Sequence, residues 1–144
     1  CLVGAATTKG IFVGIEQRRA LHDVARGIAD RYALDRAKFA LGNAMDFDWR
    51  SFDGIYLYNP FAEHVFEADE RIDTTPAGDS DSIEWSGDTF NRYGEETYSK
   101  LSQMKVGTRV ATFHGYGKAM PAGYSMIYRS PSYGQPLFVW ERQR

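Results

Sequence analysis

GIFVGIEQRRALHDVARGIADRY, residues 10–32, is the stretch whose reading decides the fold. It opens on an apolar run, Ile11-Phe12-Val13-Gly14-Ile15, that reads as a buried strand, and Glu16 closes that run. Beyond it Leu21, Val24, Ala25, Ile28, Ala29 and Tyr32 recur at spacings of three and four, which places them on one face of a helix. The unit is therefore strand, acid, helix. In open α/β sheets, ligands bind outside the carboxyl ends of the strands. A carboxylate at such an end can accept two hydrogen bonds from a ribose diol. The same carboxylate also suits the start of a helix, whose dipole favours an acid.

Working outward, Leu2-Val3-Gly4-Ala5-Ala6 reads as the tail of a helix that Gly10 stops. The first residue is Cys1, so the expectation is of a longer helix preceded by a further segment. Downstream, Lys38–Leu41 reads as a second strand ended by Gly42-Asn43-Ala44, and Gly54–Tyr58 as a third ended by Asn59-Pro60-Phe61. Residues 62–72 read as a helix and 73–87 as a polar loop with acids Asp73, Asp79, Asp81 and Glu84, a poor match to a calcium loop. Asp88 is expected to cap a helix over 89–105 with Phe90, Tyr93, Thr97, Tyr98, Leu101 and Met104 as its buried stripe, stopped by Gly107. Thr108–Phe113 reads as a fourth strand, and Gly123–Arg129 with Gln135–Glu141 as an antiparallel pair joined through Ser130–Gly134. Strands alternating with helices predict an α/β fold with a mainly parallel sheet, in one domain over residues 1–144.

Composition narrows the function classes. The chain has 144 residues, 43% hydrophobic and 25% charged, as in an ordinary globular domain. A net charge of -2 carries no basic footprint for nucleic acid. Cys1 is the one cysteine, which rules out a disulfide within the chain and a cysteine zinc site. No His/Asp/Glu cluster has metal spacing. No apolar run approaches the roughly 18 residues of a membrane helix and no signal peptide is visible, so the default is a soluble, cytoplasmic protein of open oligomeric state.

The order of these elements resembles the class I methyltransferases that use S-adenosylmethionine, over nearly the whole chain. The resemblance rests on the acid at Glu16, on Gly42-Asn43-Ala44 and on Asn59-Pro60-Phe61, together with the closing hairpin. It implies a three-layer α/β fold with seven strands in the order 3-2-1-4-5-7-6, the last antiparallel. Residues 10–16 would then be the second strand, and the first strand with its glycine-rich loop would precede Cys1. It also implies that Glu16 holds the ribose, that Gln17 is a further cofactor-binding residue, that Asn43 and the Ala44 backbone hold the adenine, and that Asn59 binds the cofactor and lies between it and the acceptor. Asn59 and Phe61 would be the catalytic positions, with no metal. Base-amino and glutamine methyltransferases carry two prolines where this chain has only Pro60, so their acceptors do not transfer directly. A protein lysine or a small molecule is the expected acceptor. A cofactor-binding module without catalysis and a nicotinamide-dependent oxidoreductase are the alternatives. His22 reads as a solvated helix residue, whereas His64 and His114 would follow strand ends and border the acceptor.

Overall fold

The computed structural model describes residues 1–61, 87–131 and 136–144. They fall into two compact units, the first through Phe47 and the second from Asp48 onward. The expected helix over 62–72, the acidic loop up to residue 86, His64 and the turn at 132–135 lie outside the described residues.

The first unit runs α1 (Leu2–Thr7), β1 (Phe12–Glu16), α2 (Arg19–Arg31), β2 (Ala37–Leu41) and a short 3-10 helix, Ala44–Asp46. The strands β1 and β2 are parallel, with Gly14 opposite Phe39. Glycine is needed there because an added Cβ would stand 2.9 Å from the Phe39 ring and 3.2 Å from the Cys1 sulfur. Ala5, Ala29 and Ala37 form the buried centre, with Leu2, Phe12, Leu34 and Phe39 packed around them. Small side chains at that centre let helix and strand approach closely.

Two local readings are corrected here. The stop of α1 is made by Thr7 and Thr8, whose hydroxyls donate to the Val3 and Gly4 carbonyls, both at 2.8 Å, rather than by Gly10. On α2 the inward residues are His22 and Ala29, while Leu21, Val24, Ile28 and Tyr32 are 42%, 59%, 37% and 65% exposed. His22 is thus buried rather than solvated. Its Nδ1 lies 2.9 Å from the Asp23 carboxylate, and a ring with a polar partner can be buried at little cost.

The second unit runs through a 3-10 helix (Trp49–Ser51), β3 (Gly54–Tyr58), α3 (Gly87–Ser102), β4 (Arg109–Phe113), β5 (Tyr124–Arg129) and β6 (Phe138–Arg142). Its sheet order is β3-β4-β6-β5, with β3 parallel to β4 and β6 antiparallel to both β4 and β5. In the numbering of the resemblance these are strands 4-5-7-6, and β1 and β2 are strands 2 and 3. The expected placement of the antiparallel strand inside the sheet, between the fifth and sixth, is met. A register shift between Met126 and Tyr128 marks β5.

Leu57, Leu101, Met104 and Val110 are buried in this unit. Alternation explains the strand contributions, since Leu57 and Val110 face one side while Tyr56 and Tyr58 face the other and are each 63% exposed. The helix α3 ends at Ser102, three residues earlier than expected, and Asp88 lies inside its first turn rather than at the cap. Tyr98, expected in the stripe, is 39% exposed. The chain then turns through Gly107, whose φ of 85° suits glycine and whose N–H donates to the Arg142 carbonyl at 2.8 Å.

Tyr116 is buried and its hydroxyl donates to the Ala119 carbonyl at 2.6 Å. Burial, with smaller contributions from Tyr98 and Tyr124, pushes its phenol up to about 12. A raised phenol favours the fold fully below its ordinary value of 10, and that contribution is lost as pH rises through about 12. Tyr116→Phe is therefore expected to cost about 1 kcal/mol at neutral pH, the worth of one hydrogen bond. It should also flatten the alkaline fall in stability, which denaturant melts of both proteins between pH 9 and 12 measure. An unchanged alkaline fall in the variant would assign it to other groups.

No helix among the described residues is long and apolar enough to cross a membrane.

Candidate functional site

Each unit places its candidate residues at the carboxyl ends of its parallel strands. In the first unit Glu16 is the last residue of β1, and its carbonyl accepts the Gly42 N–H at 3.0 Å. That bond holds the exit of β1 against the exit of β2. Asn43 and Ala44 follow at once. Glu16, Gln17, Asn43 and Ala44 are all half-buried and lie on two adjacent strand exits.

The Glu16 carboxylate is gripped by Arg18. Its Oε1 accepts the Arg18 backbone N–H at 2.9 Å and Nε at 3.0 Å, and its Oε2 accepts Nη2 at 3.2 Å. Burial pushes this carboxyl up, but the hydrogen bonds and charge of Arg18 outweigh burial and hold it below the ordinary range. It is an anion at neutral pH. The helix α2 starts only at Arg19 and has no acid in its first turn, so Glu16 stands outside the turn where an acid serves the dipole.

Sequence reasoning did not pick out Arg18. An arginine two residues after an acid at a strand exit is the pattern that could have revealed it. A carboxylate offers about four lone-pair positions; Arg18 donates to three of them, and the Gln17 backbone N–H also stabilises the anion.

Asn43 caps the following 3-10 helix, its side-chain oxygen accepting the Met45 N–H at 2.9 Å. The sequence expected that oxygen at an adenine amino group, so its bond to Met45 is an addition to the expectation. Gly42, at φ 153°, is close against Phe47, whose ring would lie 3.2 Å from an added Cβ.

In the second unit the exits of β3 and β4 are tied together, the Asn59 N–H donating to the Phe113 carbonyl at 2.9 Å. Asn59 has φ 41°, Phe61 φ 67° and His114 φ 66°. A positive φ is readily adopted by asparagine but is uncommon for phenylalanine and histidine. Tyr58 stacks on Phe113 at 5.4 Å between ring centroids with 1° between planes. His114 stands edge-on to both, at 6.2 Å from Tyr58 and 4.3 Å from Phe113. Phe61 leans on Tyr93 of α3 at 5.0 Å. The structure thus brings Asn59, Phe61 and His114 to one end of one strand pair. No group of three or more His, Cys, Asp or Glu among the described residues could hold a metal ion.

No family model matches the chain, and no curated protein matches it. Solved structures do. An RNA methyltransferase from Salinibacter ruber, in complex with S-adenosyl-L-homocysteine, superposes with a TM-score of 0.62 at 16% identity over 99% of this chain and 73% of its own. TrmN from Thermus thermophilus gives 0.60 at 18% identity over 98% of this chain and 40% of its own. YhhF from Escherichia coli, described as a candidate methyltransferase, gives 0.56 at 14% identity over 91% of this chain and 62% of its own. The chain thus spans less than two thirds of the latter two proteins. At these identities the likeness establishes the fold.

Proposed function

We propose that this chain, which has the class I methyltransferase fold, transfers a methyl group from S-adenosylmethionine to a protein lysine or a small molecule, and that residues 1–144 act as one methyltransferase-like domain. The observation that carries this reading is Glu16, an ionised and half-buried carboxylate at the exit of β1. In the proposal Glu16 takes the ribose, Gln17 is a further cofactor contact, and Asn43 and Ala44 take the adenine. Asn59 contacts the cofactor and holds the acceptor, and Phe61 walls the acceptor from water.

When bound, S-adenosylmethionine supplies a methyl group already activated on a positively charged sulfur. What remains for the protein is proximity and in-line alignment, which can lower a barrier by about 7–11 kcal/mol. Asn59 suits that task because its backbone is fixed by the bond to Phe113, leaving the amide to orient a ligand.

One of the similar structures is titled an RNA methyltransferase, whereas the net charge of -2 on this chain carries no basic footprint for a polyanion. The test is calorimetry of the full chain with S-adenosylhomocysteine and with NADH, followed by tritiated methyl transfer. Binding of S-adenosylhomocysteine alone, with turnover, is expected. Binding of NADH alone would turn the reading to an oxidoreductase, and binding without turnover on any acceptor to a cofactor-binding module.

A further inference from the structure

Of the four residues other than glycine with positive φ among the described residues, three are Asn59, Phe61 and His114. Strain of this sort costs of order 1–3 kcal/mol per residue and gathers at working sites. Two of these side chains already have a place in the proposed function. His114 does not. It is exposed, its ring nitrogens make no hydrogen bond with a described residue, and its plane is set at 79° to both Tyr58 and Phe113. The stacked pair fixes the direction of the imidazole while leaving its nitrogens available. The left-handed backbone turns it out at the strand exit beside Asn59.

An aliphatic amine is an ammonium ion in neutral water and has no lone pair to offer. Its recognition needs a surface that attracts a cation, and its reaction needs a base. Aromatic faces attract cations, and in this unit Arg92 already lies over Tyr93 with its guanidinium carbon 5.4 Å from the ring centroid. Tyr58, 63% exposed, offers a comparable face next to His114.

We propose that His114 is a catalytic residue, the proton acceptor for an ammonium acceptor held against Tyr58. This inference rests on the proposed methyl transfer. The neutral imidazole takes one proton from the ammonium nitrogen. The freed lone pair forms the new bond to the methyl carbon. The carbon–sulfur bond breaks, and its electron pair stays on sulfur. The imidazole then releases its proton to water.

The experiment uses the full chain, tritiated S-adenosylmethionine and poly-L-lysine as the acceptor probe, with total RNA in a parallel arm. His114→Asn keeps a residue that tolerates the left-handed backbone but removes the base. It should lower transfer to poly-L-lysine by roughly 10²-fold or more, the worth of general-base catalysis. Affinity for S-adenosylhomocysteine should stay within about twofold, since the interaction removed belongs to the chemical step. Added free imidazole should restore much of the lost rate, a response that a structural role would not give. Full turnover in the variant, or a loss that imidazole does not restore, overturns the role of His114. Label in RNA and none in poly-L-lysine, or label in neither when S-adenosylhomocysteine binds, overturns the ammonium acceptor. Absence of S-adenosylhomocysteine binding by the unaltered chain strikes the proposed function itself, and is read separately by calorimetry.

Discussion

Replacing Asn59 by alanine is expected to lower turnover by roughly 10²-fold or more while affinity for S-adenosylhomocysteine changes by less than about fivefold. The side chain belongs to the proposed acceptor position, so its loss removes orientation and leaves the proposed adenosine-binding residues unchanged. Two effects have to be separated. The backbone at Asn59 has φ 41°, a conformation asparagine tolerates and alanine resists, at about 1–2 kcal/mol. Asn59→Ala therefore also lowers the melting temperature. Asn59→Gly removes the same amide without that strain. Equal losses of turnover in the two variants, with stability falling mainly in the alanine protein, locate the effect in the amide. A glycine variant with full turnover would remove Asn59 from the mechanism and leave it as a backbone residue before Pro60.

The second large effect is at Glu16. Glu16→Ala should weaken S-adenosylhomocysteine binding at least about tenfold, because one charge-assisted hydrogen bond of about 1.5–3 kcal/mol already exceeds the 1.4 kcal/mol of a factor of ten. Calorimetry on the folded variant measures it. The stability change should be small, since the pair with Arg18 is half-exposed. The depressed carboxyl adds a pH signature. Its contribution to stability is present above the ordinary glutamate value of 4.5 and is lost as pH falls through the lowered folded value. The alanine variant should lack that part of the acid fall. Unchanged affinity with a changed acid limb would make Glu16 a partner of Arg18 and nothing more.

The strands were readable because their signals are local. Pro60 ends β3 and Gly107 precedes β4, and apolar runs between such breakers leave little choice. The acid at the end of β1 was readable for the same reason. The inward face of α2 was not. Periodicity selects the bulkiest apolar stripe, yet the close packing of Ala5, Ala29 and Ala37 turns the helix on its small residues and carries His22 inward. A buried histidine depends on Asp23 as partner, and hydropathy does not count partners. The strand exits were legible in part. Asn59 is a residue type that accepts a positive φ, whereas nothing in the letters Phe61 and His114 announces one. Both lie at the exits of β3 and β4, which the Asn59–Phe113 bond ties together across a long stretch of chain.

The irregularity in β5 has a bearing on solubility. This strand is the outer one on its side of the four-stranded sheet, and Met126, Ile127 and Tyr128 on it are 51%, 48% and 50% exposed. Three consecutive bulky side chains on a flat outer strand would offer a template for another chain to add to, the usual first step of sheet aggregation. The shift between Met126 and Tyr128 leaves Ile127 out of the pairing with β6. A strand interrupted in this way twists and cannot present an even row of backbone donors and acceptors. An incoming strand that matched its first half would be out of step with its second.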